Sequence, residues 1–168
     1  MKKKESKPYS SDWSDKKRLL EGGNPLDPFQ IVTFSLGRES YGIPIERVRE
    51  IIRPTPITLI PHTPPYVLGL LNLRGNVIPV IDLRLRLHIT PEGEAKNNRI
   101  IVVEIEGVVV GMMVDSVSSV MTVQEDMLTD TPDMLCETDD GFINRVIKTD
   151  QRLTVLLNLQ AMVYPKAG

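Results

Sequence analysis

Cys136 and the two histidines, His62 and His88, are the side chains from which this chain would build a nucleophile and its base. A working thiol–imidazole pair needs positive charge near the sulfur and a ring held beside it. Cys136 instead lies in an acidic stretch, which pushes a thiol pKa upward, and no motif surrounds it. His62 sits within Pro61-His62-Thr63-Pro64-Pro65, and His88 ends an alternating run. They read as a loop cysteine and two partly exposed imidazoles. Asp126, Asp130, Asp133, Glu137, Asp139 and Asp140 offer oxygen ligands, but Glu137-Thr138-Asp139-Asp140-Gly141 is only a fragment of a calcium loop, without its closing Glu. A solvated loop is the expectation. The sequence has no Gly-rich phosphate loop leading to a Lys, no Cys/His zinc spacing and no dinucleotide fingerprint. No catalytic residue, cofactor or metal is expected.

The remaining chemistry is recognition. Val108-Val109-Val110-Gly111-Met112-Met113-Val114 is apolar throughout, whereas an antiparallel strand with one wet face alternates. Such a run implies burial on both faces, either inside the molecule or under a partner. Glu50 and Arg74 are charges set beside the apolar Ile51 and Leu73. Each reads either as an ordinary surface charge or as the rim of an interface, where charge steers and discriminates.

The elements that would position these groups are mostly short strands. Asn72–Leu87, NLRGNVIPVIDLRLRL, places Arg74-Gly75-Asn76 between two apolar segments and predicts a β-hairpin, with Gly75 and Asn76 taking positive φ. Pro79 marks a strand edge or bulge. Leu83, Leu85 and Leu87 alternate with Arg84 and Arg86, the period of a half-buried strand. Upstream, 31–36 and 41–45 form a hairpin across Gly37-Arg38-Glu39-Ser40. Residues 46–52 predict a helical stretch with Ile45, Val48, Ile51 and Ile52 on one side, ended by Pro54 and Pro56. Residues 57–60 read as a short strand and 66–70 as a helical turn. Downstream, 99–106 and 108–114 pair around Gly107, 117–123 is a strand, 125–141 is irregular, 142–148 and 153–157 form a last hairpin, and 158–163 closes as a helical turn. A weak internal repeat relates 31–48 to 100–117, with Gly42 matching Gly111 and Glu46 matching Asp115, both 69 residues on. Val80-Ile81-Asp82-Leu83 is echoed by Leu156-Leu157-Asn158-Leu159. Chance likeness among hairpins is one explanation; two similar small antiparallel barrels packed together is the other.

Composition bounds the function. A chain of 168 residues holds one domain or two small subdomains sharing a core. One cysteine permits no internal disulfide, and no signal peptide is evident, so a reducing cytoplasm is expected. No apolar run reaches the roughly 20 residues of a membrane span. A net charge of −2 and 5% aromatic residues argue against a nucleic-acid surface. Residues 1–27 are polar and Lys-rich and are expected to be a flexible tail, while 28–166 form the folded domain.

Three stretches carry a resemblance. FSLGRESYGIPIERVREIIRP (34–54), ITLIPHTPPYVLGLLNLRGNVIPVIDLRLRL (57–87) and VVGMMVDSVSSVMTV (109–123) resemble the CheW family of bacterial chemotaxis adaptors, the NLRG turn with its VIPVIDLR continuation being the most specific part. The resemblance implies an all-β fold of two packed five-stranded SH3-like antiparallel barrels with short helical segments, here at roughly 31–90 and 98–160. It implies a non-enzymatic scaffold linking the cytoplasmic tips of transmembrane chemoreceptors to the histidine kinase CheA, recruited to receptor arrays and open to ring or array association. An adaptor of a non-flagellar chemosensory pathway is the alternative. By position, Val48, Glu50, Gly69, Arg74, Val109, Val110 and Gly111 map to the receptor side, and Arg53, Thr55, Ile57 and Thr58 to the kinase side. Outside the resemblance, a hydrolase using Cys136 and a nucleic-acid-binding barrel are the competing classes. Alkylation of Cys136 and retention on heparin would reveal them.

Overall fold

Among the described residues, runs of β-branched residues from Phe29 onward form eleven strands in two sheets. The computed structural model describes residues 27–90, 96–129 and 141–164. In chain order the strands are β1 (Phe29–Leu36), β2 (Glu39–Pro44), β3 (Val48–Ile52), β4 (Val67–Leu73), β5 (Asn76–Asp82), β6 (Arg99–Ile105), β7 (Val108–Val114), β8 (Ser116–Val123), β9 (Leu128–Thr129), β10 (Ile143–Lys148) and β11 (Leu153–Leu157). Short α-helices α1 (Leu83–Arg86) and α2 (Leu159–Val163) follow β5 and β11. One sheet runs β8-β1-β2-β11-β10-β9 and the other β3-β6-β7-β5-β4. The architecture is all-β, two packed SH3-like sheets of five strands, with the two-residue β9 added to the edge of the first.

The internal repeat is a structural one. Val80 pairs in parallel with Gly111, and Leu156 pairs in parallel with Gly42. A Cβ on Gly42 would meet Ile31 Cδ1 at 2.7 Å, and one on Gly111 would meet Ile100 Cγ2 at 2.9 Å, so both glycines let the same inner isoleucine pack against the backbone. The sheets do not follow the sequential division at 31–90 and 98–160. Strand β3 pairs with β6 and β5 with β7, while β8 pairs with β1 and β11 with β2, so each sheet draws strands from both halves. Each half therefore depends on the other for its barrel.

Burial explains the unbroken apolar run of β7. Val110, Met112 and Val114 face a central core with Val32, Phe34, Ile43, Ile101 and Val103, between the sheets. Val109 and Met113 point the other way, onto the smaller core of Leu71, Ile78, Val80, Ile100 and Val102. Ile31, Val123, Ile147 and Leu156 fill the corresponding core of the first sheet.

Four local expectations are corrected. Residues 46–52 are not helical: Ile45–Arg47 make a single 3₁₀ turn and Val48–Ile52 join β6. Seven residues rich in Val and Ile are too few to nucleate a helix and gain more from a ladder. Residues 66–70 are not a helical turn, since β4 starts at Val67. The segment 57–60 contributes one bridge, Thr58 to Leu70, rather than a strand. Leu83–Arg86 is a helix despite its alternation, because the Asp82 side chain accepts hydrogen bonds from the Arg84 N–H (2.9 Å) and the Leu85 N–H (3.3 Å). Asn158 caps α2 in the same way, taking the N–H groups of Gln160 and Ala161. The Asp82→Ala variant is expected to lose about 1 kcal/mol, read as a lower urea midpoint with unchanged slope; an unchanged midpoint would show that packing alone holds α1.

The arginines of α1 tie the halves together. Arg86 Nε donates to the Met162 carbonyl (2.9 Å) and its Nη2 to that of Ala161 (3.0 Å), while its guanidinium lies 4.4 Å from the Tyr66 ring centre and 4.8 Å from that of Phe142. Arg84 Nε lies 3.2 Å from Asp115 Oδ1, whose other oxygen accepts the Gly37 N–H at 2.6 Å.

Candidate functional site

The groove begins with a turn. The β4–β5 hairpin closes through Arg74 (φ 52) and Gly75 (φ 88), one residue earlier than the Gly75-Asn76 expectation. Asn76 already pairs with Leu73, so the loop has two residues, and both take positive φ as a type I′ turn requires. The Asn72 side chain accepts the Gly75 N–H at 3.0 Å and steadies the turn. Arg74 thus stands at the hairpin tip.

From there it crosses the barrel. Arg74 Nη1 reaches Glu50 Oε2 at 2.6 Å. Glu50 lies on β3 and Arg74 on the β4–β5 tip, at opposite edges of the five-stranded sheet. The sheet has curled far enough for the edges to meet through this pair. Arg74 is 73% exposed and Glu50 25%, so the bond is worth at most about 1 kcal/mol in screened water. It is weak as a strut and well placed as a recognition feature.

Behind the pair lies a groove of roughly 500 Å³. Its apolar lining includes Leu73, Val77, Val102, Val108 and Val109, and its charges are Arg49, Glu50 and Arg74. Val77 is 63% exposed. An apolar floor beside fixed charges at the rim is the layout of a protein-binding surface.

Of the residues assigned to the receptor side, Glu50, Arg74 and Val109 reach this groove. Val48 is half-buried against the central core, and Val110 and Gly111 are buried, so these three position the groove without lining it. Gly69 is buried within β4, where its Cβ would meet the Thr58 carbonyl oxygen at 2.1 Å. Its role is close backbone approach. On the kinase-side stretch, Arg53, Thr55 and Thr58 are exposed, whereas Ile57 packs onto the second sheet's core. Beside them Leu59 is 81% exposed, a feature the sequence reading missed. It also missed Arg49 and Val77, because a helix over 46–52 would aim Arg49 elsewhere and Val77 reads as ordinary strand.

Cys136 and the acidic residues Asp130, Asp133, Glu137, Asp139 and Asp140 lie outside the described residues. His62 and His88 are exposed on separate loops, both with left-handed backbone. Among the described residues no three His, Cys, Asp or Glu side chains gather as a metal-binding group, and no helix is long and apolar enough to cross a membrane. Tyr41, half-buried and stacked 6.2 Å from Phe34, has its phenol pushed above the usual range by burial and then by the Glu39 carboxylate. It belongs to the packing of the first sheet.

Two interlocked SH3-like sheets with an apolar, charge-rimmed groove define a scaffold of the adaptor class. The CheW-like domain model matches residues 30–166, and the chain belongs to this family of chemotaxis coupling proteins. It is 36% identical over 149 residues to a chemotaxis protein CheW of Rhizobium meliloti (strain 1021), covering 89% of this chain and 92% of the relative. It is 32% identical over 134 residues to the CheW of Helicobacter pylori, covering 80% and 81%. Protein FrzA of Myxococcus xanthus is 34% identical over 87 residues, half of this chain. Among solved structures, the scaffolding protein TtCheW from Thermoanaerobacter tengcongensis superposes with a TM-score of 0.71 at 39% identity, covering 78% of this chain and 89% of that one.

Proposed function

We propose that this chain links the cytoplasmic tips of transmembrane chemoreceptors to the histidine kinase CheA and supports control of kinase activity, making and breaking no covalent bond itself. The observation that carries the reading is the Glu50–Arg74 pair beside the apolar groove. A receptor tip is a helical hairpin bundle, and one of its helices fits such a groove through apolar anchors at i, i+3 and i+7. Val109 and Val77 supply the floor, and Arg74 and Glu50 set the register. The kinase docks on the exposed stretch around Arg53, Thr55 and Thr58, with Ile57 anchoring it from beneath. Each contact is of micromolar strength, about −8 kcal/mol, and strength in the array comes from ring or array association of many copies. The protein works in the cytoplasm at membrane-associated arrays, through residues 28–166, with 1–27 as a tail. The partial likeness to FrzA favours one second reading, the same adaptor role in a chemosensory pathway with a non-flagellar output.

The test is kinase activation in a reconstituted assembly of receptor signalling fragment, CheA and this chain. Arg74→Glu sets two carboxylates against each other at the rim and is expected to weaken coupling at least about tenfold with the fold intact by circular dichroism. Activation equal to the unaltered chain would defeat the reading.

A further inference from the structure

A backbone irregularity brings a second arginine into the groove. Along the β3–β6 ladder, Val48 sits opposite Val103 and Glu50 opposite Val102, leaving Arg49 as the extra residue of a β-bulge. Neighbours on a regular strand point to opposite faces; a bulge re-aims one of them. Here Arg49 and Glu50 both line the groove.

The repeat supplies an internal control. On the β1–β8 ladder Val117 sits opposite Phe34 and Ser119 opposite Thr33, leaving Ser118 as the extra residue at the corresponding position, 69 residues on. The same bulge is therefore made with Ser118-Ser119 in one sheet and with Arg49-Glu50 in the other. The backbone does not require the charges. Arg49 is 52% exposed and ion-paired with Glu104, a surface arrangement of small energetic value. Glu104 is not among the residues lining the groove, so it holds Arg49 from outside while the arginine faces the groove beside Glu50.

We propose that Arg49 is a second specificity residue of this groove, selecting a helix that carries a carboxylate beside its apolar anchors. The inference rests on the receptor reading above and names what that surface recognises. In the free protein both arginines are paired, Arg49 with Glu104 and Arg74 with Glu50; an acidic side chain on the incoming helix replaces Glu104 on Arg49 at little cost, since that resident pair is solvated.

The test titrates the full chain with a chemoreceptor signalling-tip fragment by fluorescence anisotropy at two salt concentrations. Arg49→Ser, the residue the other bulge uses, is expected to weaken binding about fivefold, and Arg49→Glu about twentyfold, both with a shallower salt dependence. Melting temperatures should stay near that of the unaltered chain. Among tip fragments with single Asp or Glu residues changed to Lys, one should restore binding to Arg49→Glu. If Arg49→Glu binds normally while Arg74→Glu does not, the proposal falls and the groove reading stands. If both bind normally, the groove reading falls and takes the proposal with it. If Arg49→Glu weakens binding and no lysine exchange restores it, selection of an acidic partner is overturned.

Discussion

Gly69→Ala is expected to lower the unfolding free energy by about 3 kcal/mol or more, one added methyl group removing a large part of the stability of a domain this size. Two effects add. Gly69 has φ 143, a conformation L side chains rarely adopt. The new Cβ would also meet Thr58 O at 2.1 Å and Ile57 Cγ2 at 2.8 Å. The first of these atoms is backbone, and it cannot step aside freely. Thr58 N–H donates to the Leu70 carbonyl and Leu70 N–H to the Thr58 carbonyl, each at 2.8 Å. Relief therefore means breaking the bridge that pins the 57–58 segment to β4, and with it the stretch proposed to face the kinase. Gly75→Ala separates the two effects. Gly75 also has positive φ, 88, but nothing lies within 4 Å of its Cβ position, so its cost should be near the backbone strain alone, about 1 kcal/mol. Equal losses in the two variants, measured by urea unfolding, would show that the contact with Thr58 is not what makes Gly69 necessary.

Arg86→Ala is expected to cost about 2–4 kcal/mol. The substitution removes two hydrogen bonds from a charged donor to the carbonyls of Ala161 and Met162, which lie in α2, and empties the slot between the Tyr66 and Phe142 rings. Carbonyls in the last turn of a helix lack intrahelical partners, and a cation there also meets the negative end of the helix dipole. Met162 is fully buried in the central core, so loosening α2 opens the seam between the sheets. Arg86→Lys keeps the charge but has neither the planar fork nor the stacking face, and should recover less than half of the loss. A lysine variant as stable as the unaltered chain would show that charge alone is at work. The unfolding transition should stay single in every variant, because each sheet contains strands from both halves.

Much of this architecture was legible in the sequence because it is written in local pattern. Turn residues such as Gly37, Gly75 and Gly107 mark hairpins wherever apolar runs flank them, and β1, β2, β5 to β8, β10 and β11 lie where those runs lie. The match of Gly42 to Gly111 is visible because each glycine answers the same steric demand from an isoleucine. Glu50 and Arg74 stand out as charges in apolar company, and the resemblance carried by NLRG and VIPVIDLR names their family. The errors cluster where two local signals compete. Residues 46–52 have helical spacing and β-branched composition, and only the presence of β6 alongside decides between them. Leu83–Leu87 has strand spacing, and the Asp82 cap overrides it with two hydrogen bonds.

The sequence by itself determined the all-β class, most strand positions and the family, since each follows from residue type and short-range spacing, and it raised the repeat that strand pairing then settled. Tertiary structure alone decided how the halves interlock, which of the mapped residues reach the groove and which only support it, and that Arg49 faces the same groove as Glu50. Those outcomes depend on register, sheet curvature and a bulge, which arise from pairing between segments distant in the chain and leave no trace in the spacing of neighbours.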